Sequence, residues 1–210
     1  KQIPSLIKLR SYLTVFQLVS KYIQNEQIRQ ALSIQPLLLG GNPLETTSIY
    51  NLIHFLERKW GVHYAMGGTG KIVQAFEKLM KEEKICIKKN IDVRQILFEN
   101  KKAIGVKTNT GKRIFADKII MNTDPAYSYK FLIKNDKKWN AKKIDKLDYS
   151  MGLFVIYFGT KKKYKNIEHH TIWMGKRYQG LLKDIFNKRI LADDFSLYLH
   201  RPTATDKSMA

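Results

Sequence analysis

Apolar residues recur at helical spacing through the first part of the chain and at strand spacing in its middle. In residues 3–23, IPSLIKLRSYLTVFQLVSKYI, one row is formed by Leu6, Leu9, Leu13 and Phe16, and Ile7, Val15, Leu18, Val19 and Tyr22 widen it. The pattern predicts one helix with Pro4 near its start and an apolar surface broader than an ordinary stripe. Such a surface packs in a core, lines an apolar cavity or touches a membrane interface, and core packing is the first expectation. A second short helix is predicted through NEQIRQALS. PLLLGGNP then breaks the pattern, with Pro36 and Pro43 flanking two glycines. Thr47 or Ser48 is placed to cap the helix IYNLIHFLERKWG, where Ile49, Ile53 and Leu56 repeat and Gly61 stands at the C-terminal cap.

The stretch HYAMGGTGKIVQAF, residues 63–76, looks like a phosphate-binding glycine loop entering a helix. A Walker A loop requires a glycine five residues before the Gly of Gly-Lys, and Ser or Thr after the Lys. Here position 65 is Ala and Ile72 follows Lys71, so both requirements fail. The dinucleotide fingerprint G-x-G-x-x-G fails at its third glycine, which is Val73. What remains is a tight turn starting a helix to about Lys84, with Thr69 as a plausible cap.

Beyond it the period changes to two. KICIKK, VRQILFEN, AIGVKT and RIFA read as short strands, with NTGK at 109–112 as a hairpin turn. KIIMN reads as a buried strand ended at Pro125. The pattern gives a three-stranded meander accessory to a parallel sheet. PAYSYKFL follows as a short helix, and KNDKKWNAKKIDK as a lysine-rich surface connection. SMGLFVIYFGT, residues 150–160, is apolar on both faces, as in a central buried strand. HHTIWMG is a weaker strand, RYQGLLKDIFN a helix and DFSLYLHRP a last strand. The fold class expected is mixed α/β.

Composition changes this picture in two respects. Hydrophobic residues make up 44% of the 210, enough for a packed core. The net charge is +20, which suggests nucleic acid, an anionic membrane or an acidic ligand. The excess is carried mainly by scattered Lys rather than Arg, and no Arg-rich helix or aromatic platform accompanies it, so no nucleic-acid partner is expected. A plain solvated lysine surface explains the charge equally well. The single cysteine, Cys86 in the apolar ICI, excludes a disulfide within the chain. His169-His170 lacks Cys or carboxylate ligands at zinc spacing, and no metal site is expected. No uncharged apolar run approaches 18 residues. The chain starts with Lys directly in a helical pattern and stops at ATDKSMA, which suggests a piece of a longer protein.

Several blocks, taken in order, resemble bacterial-type phytoene desaturases. They are RQALSIQPLLLGGNPLETTSIYNLIHFLERKWGVHYAMGGTGKIVQAF, SMGLFVIYFGT, HHTIWMGKRYQGLLKDIF and LADDFSLYLHRPTATDKSMA, and together with their connections they span nearly the whole chain. The family belongs to the flavin-dependent amine-oxidase-like superfamily. The resemblance implies an FAD enzyme that removes hydrogens from phytoene, a C40 polyene, toward lycopene. Sister carotenoid flavoenzymes (an isomerase, a C30 desaturase, a ketolase) share the scaffold. An apolar polyene has no polar handle, so recognition rests on shape and apolar area. The resemblance further implies a peripheral enzyme on the cytoplasmic face of a bacterial membrane, with lysines toward anionic headgroups. The electron acceptor, oxygen or a quinone, stays open.

On this resemblance the chain is the central part of a two-domain fold. Residues 1–61 form a helical substrate- and membrane-facing region, residues 62–125 the middle of the FAD domain, and residues 126–210 part of the substrate domain. The G-x-G-x-x-G segment and a second FAD segment are expected outside the chain, which by itself should be inactive. The resemblance places the backbone of Val93 against the adenine end of FAD, and Asn122, Thr123 and Asp124 close to the cofactor. Ordinary strand packing for Val93 and a turn-forming side chain for Asp124 are the plainer readings. Catalytic residues are expected upstream, with Lys1 at the place of a family Arg, an exchange that is not neutral because the two differ in hydrogen-bond geometry. His54, Glu57, Arg58 and His200 read as structural groups.

Overall fold

The computed structural model describes residues 3–133 and 139–210, which form two compact units. One comprises the chain up to Phe76 together with Ser150–Ala210, and the other is Glu77–Tyr149.

In the first unit the expected single helix over 3–23 is two helices, α1 (Ile3–Lys8) and α2 (Val15–Tyr22). The reason is a capping box. Thr14 Oγ1 accepts from the Gln17 N–H at 3.1 Å, and Gln17 Oε1 accepts from the Thr14 N–H at 2.9 Å. Thr14 also bridges Thr47, and flanking backbone bonds run from Val15 N to Thr46 O and from Ser48 N to Leu13 O, both 2.9 Å. Pairing with residues 46–48 thus outcompetes continuation of the helix. The apolar row divides accordingly. In α2 Val15 and Val19 are buried, whereas α1 buries nothing, and Ile3 and Ile7 within it and Leu9 just after it are more than half exposed.

α3 (Glu26–Ser33) is capped by Asn25, whose Oδ1 accepts from Ile28 N at 3.1 Å. A 3₁₀ turn, Gln35–Leu39, replaces the predicted break. Thr47 caps a second 3₁₀ turn, Ser48–Asn51, which leads into α4 (Leu52–Trp60), closed at Gly61 as expected. α5 (Gly70–Glu82) starts at the glycine motif. Late in the chain, β4 (His170–Trp173) and β5 (Leu197–His200) pair antiparallel. Between them α8 (Tyr178–Lys183) continues as a π turn, Asp184–Lys188. Tyr178 joins three helices: its ring lies 6.4 Å from that of Phe16 in α2, and its hydroxyl lies 3.5 Å from Ser33 Oγ in α3.

The second unit is the predicted meander, β1 (Val93–Glu99), β2 (Lys102–Thr108) and β3 (Arg113–Phe115), in that spatial order. The first turn uses Asn100 and Lys101, both at positive φ, as tight hairpins of this hand require. α6 (Pro125–Tyr127) continues as a π turn over Ser128–Leu132, and this turn packs against β1. α7 (Ala141–Ile144) packs on the same turn and places Ile144 in the core with Ile96 and Leu132. The lysine-rich connection predicted over 134–146 therefore contains a helix with one buried anchor; residues 134–138 lie outside the described ones.

Three predicted strands are not formed among the described residues. KICIKK, KIIMN and 150–160 have no ladder partner, and both sheets are antiparallel, so no parallel sheet is assembled. The expected central strand is the most open apolar segment: Phe154 is 92% and Tyr157 93% exposed, and Ile120 in KIIMN is 95% exposed. A lone extended strand has nothing to take up its N–H and C=O groups. The mixed helix-and-strand class is as expected.

Candidate functional site

The glycine motif is occupied from within the chain. Gly67 and Gly68 both sit in the left-handed region, at φ +83° and +84°. This turns the Gly67 N–H outward, where it donates to Oδ2 of Asp206. Asp206 is buried, and its Oδ1 accepts from the Ser208 N–H at 2.9 Å and the Ser208 hydroxyl at 2.7 Å. The Gly67 N–H, followed by the two Ser208 donors, holds the Asp206 carboxyl below the ordinary carboxylate range. A carboxylate of the same chain thus sits where a phosphate would be looked for. A Cβ on Gly68 would also meet Met209 Cε at 3.0 Å, so the glycines serve close approach to the 206–209 turn.

Beside this clasp lies a cluster of imidazoles. The β4–β5 register sets His170 opposite His200 and Ile172 opposite Tyr198. Side chains two residues apart share a face, so His170, His200 and Tyr198 stack with interplanar angles of 3–7°. His169 sits at the end of the ladder, its carbonyl accepting from Arg201 N at 2.8 Å. Its Nε2 lies 3.0 Å from His200 Nε2, and its Nδ1 2.5 Å from Thr205 Oγ1. His170 Nδ1 hydrogen-bonds the Tyr198 hydroxyl. Partial burial, then the neighbouring His170 and His200, lower the pKa of His169 and favour its neutral form. Tyr64, from the glycine turn, meets the His169 ring edge-on at 4.6 Å; its hydroxyl is buried without a hydrogen-bond partner.

The residues expected near FAD all fall in the second unit. Val93 opens β1 opposite Thr108 and is half-buried. Asn122 is exposed in a stretch without regular secondary structure. Thr123 Oγ1 hydrogen-bonds Ser128 Oγ, and Asp124 caps α6 by accepting from Tyr127 N at 2.8 Å. β1 and the turn following α6 pack together, which brings the two expected stretches into one unit. Lys1 lies outside the described residues. His54 and Glu57 make hydrogen bonds among the helices: His54 Nε2 bonds Leu32 O at 2.8 Å, and Glu57 accepts from Gln35. His200, expected to be structural, joins the cluster. Asp206 and Tyr64 carried no sequence signal, since their partners lie 139 and 105 positions away.

Comparison with known proteins agrees with the residue pattern. The family model described as flavin containing amine oxidoreductase matches residues 13–204. The chain is 40% identical, over 99% of its length, to a lycopene-forming phytoene desaturase of Pseudescherichia vulneris, covering 42% of that protein. It is 40% identical, over its whole length, to a neurosporene-forming phytoene desaturase of Rhodobacter capsulatus, covering 41%. A 4,4'-diapophytoene desaturase of Methylomonas is 31% identical over 94% of the chain and is covered over 39%. The chain thus spans about two fifths of the length of the curated relatives it matches. With the family model covering all but the ends, the chain belongs to the flavin containing amine oxidoreductase family.

Proposed function

We propose that the protein containing this chain is an FAD-dependent phytoene desaturase of carotenoid biosynthesis, an oxidoreductase acting on CH–CH bonds. The observation that carries this reading is 40% identity, sustained from end to end of the chain, to phytoene desaturases of two product classes. Similarity to the 4,4'-diapophytoene desaturase is lower, at 31%. The family supplies the flavin; the polyene follows from the relatives.

The second unit fits a flavin nucleotide in a limited way. The Thr123 hydroxyl and Asp124 carboxylate are committed to their own helix start. What remains for a cofactor is the Asn122 amide, the unpaired backbone before it, and the backbone of Val93. We assign Thr123 and Asp124 to fixing the end of that segment, and Val93 and Asn122 to contact. Bound FAD would supply the hydride acceptor for the allylic C–H, and its electrons would pass on to oxygen or a quinone. On this reading residues 62–125 belong to the cofactor domain and 1–61 and 126–210 to the substrate-facing parts, bounds that cut across the two compact units divided at Phe76 and Tyr149.

The unburied apolar face of α1, next to Lys8 and Arg10, supports a peripheral position on the cytoplasmic membrane surface, where a lipid-dissolved substrate is reached. No described helix is long and apolar enough to cross a membrane.

The test is the full-length protein incubated with phytoene, FAD and an electron acceptor. Visible-absorbing products should form, each step lowering the mass by two hydrogens. Unchanged phytoene in the presence of bound flavin and acceptor refutes the reading. A product of unchanged mass points to an isomerase instead. Flotation with liposomes tests the membrane position: Leu6→Asp with Ile7→Asp should release the protein to the soluble fraction.

A further inference from the structure

We propose that His169, His170 and His200 form a binding site for a divalent transition-metal ion of the zinc class. One ligand atom from each of the three imidazoles lies within 4.8 Å of the other two. Zinc–nitrogen bonds of 2.0–2.1 Å separate two nitrogens on a tetrahedral ion by about 3.3 Å. His169 Nε2 and His200 Nε2 are already 3.0 Å apart, and side-chain rotation on the order of 1 Å gathers the third nitrogen.

Two of the three rings have the surroundings of metal ligands. The second nitrogen of His169 is engaged by Thr205 Oγ1, and that of His170 by the Tyr198 hydroxyl. Metal-bound histidines nearly always have their remote nitrogen held in this way, which fixes the ring and leaves the other lone pair pointing inward. The backbone is equally fixed, because His170 and His200 face each other across the ladder and Arg201 N donates to the His169 carbonyl. Without a metal, the two Nε2 atoms at 3.0 Å require a shared proton; a metal ion replaces that proton and releases it.

The donor set selects the ion. Three neutral imidazoles without a thiolate or carboxylate suit zinc, copper or nickel and disfavour calcium and magnesium, which demand oxygen ligands. Three protein ligands leave a fourth position for water. His200 comes from β5, while His169 and His170 lie on and beside β4. A bound ion would therefore cross-link the ladder beside the glycine turn, which His169 meets through Tyr64. This goes beyond the desaturase reading and does not depend on it.

The test uses the full-length protein stripped with a chelator, titrated with Zn²⁺ against a chromophoric competitor at pH 7.5. Strong binding by one equivalent is expected at this site, and His170→Asn and His200→Asn should each weaken it on the order of tenfold or more. Cys86→Ser and His63→Asn should not change it. Circular dichroism checks the fold of each variant. Should a histidine variant fail to fold, ring spectra of the wild type decide: the signals of His169, His170 and His200 should shift together with zinc. The proposal is overturned by a folded wild type that binds no zinc at about 100 µM, a concentration far above strong structural sites. It is also overturned by equal affinity in a folded His170→Asn/His200→Asn double variant, by loss of binding in Cys86→Ser, or by ring shifts elsewhere.

Discussion

The meander at 93–115 and the segment at 150–160 are both rich in apolar, strand-forming residues, and only one of them forms strands. In the meander each strand finds its partner across a turn of a few residues, so Val106 pairs Ile96 on one side and Ile114 on the other. Residues 150–160 have no such neighbour in sequence, and Phe154 and Tyr157 stand open. The difference lies in the availability of a pairing edge and has little to do with propensity. A fully apolar strand is the kind that needs edges on both sides and cover on both faces.

Substitutions can break this comparison, and the largest effect is expected in the closed core. Ile144 is 1% exposed, so Ile144→Ala should cost about 2–5 kcal/mol in urea unfolding of the chain, whereas Phe154→Ala should change stability by less than about 0.5 kcal/mol. A comparable loss at Phe154 would show that the segment is covered. The second pair uses glycines. A Cβ on Gly105 in β2 would lie 2.4 Å from Ile114 O, and one on Gly152 would meet nothing within 4 Å. Gly105→Ala should therefore destabilise by about 1–3 kcal/mol, with Gly152→Ala near neutral. Equal effects would erase the distinction between paired and unpaired segments.

The smallest effect concerns acid. The folded-state pKa of Asp206 lies below its unfolded value, so its contribution is present above the unfolded carboxylate range and is lost as pH falls through the folded value. Asp206→Asn should flatten part of the decline in urea midpoint between neutral pH and about pH 3, with little change in the meander's own exchange protection. An acid limb identical to that of wild type would remove the carboxylate from the clasp.

Elements stabilised by near neighbours were legible: α3, α4, α5, the three meander strands and the Asn109–Lys112 turn. The split of the first helix was missed: Thr14 and Gln17 stand at capping-box spacing, but the broad apolar row outweighed that signal. The fold class and family were readable because ordered blocks run through the whole chain. The Gly67–Asp206 clasp and the approach of His200 to His169 were not readable, because they join residues 139 and 31 positions apart. The missing ladders for KICIKK, KIIMN and 150–160 follow the same rule: periodicity reports what a segment can do, and only a partner decides whether it does.

The clasp at the glycine turn has a consequence for competition. Asp206 is tethered to the turn it fills, so its carboxylate is present there at an effective concentration on the order of millimolar or above. Any free anion must displace a resident that cannot diffuse away. Dilute phosphate is thereby disfavoured at the turn, which ties two distant parts of the chain together.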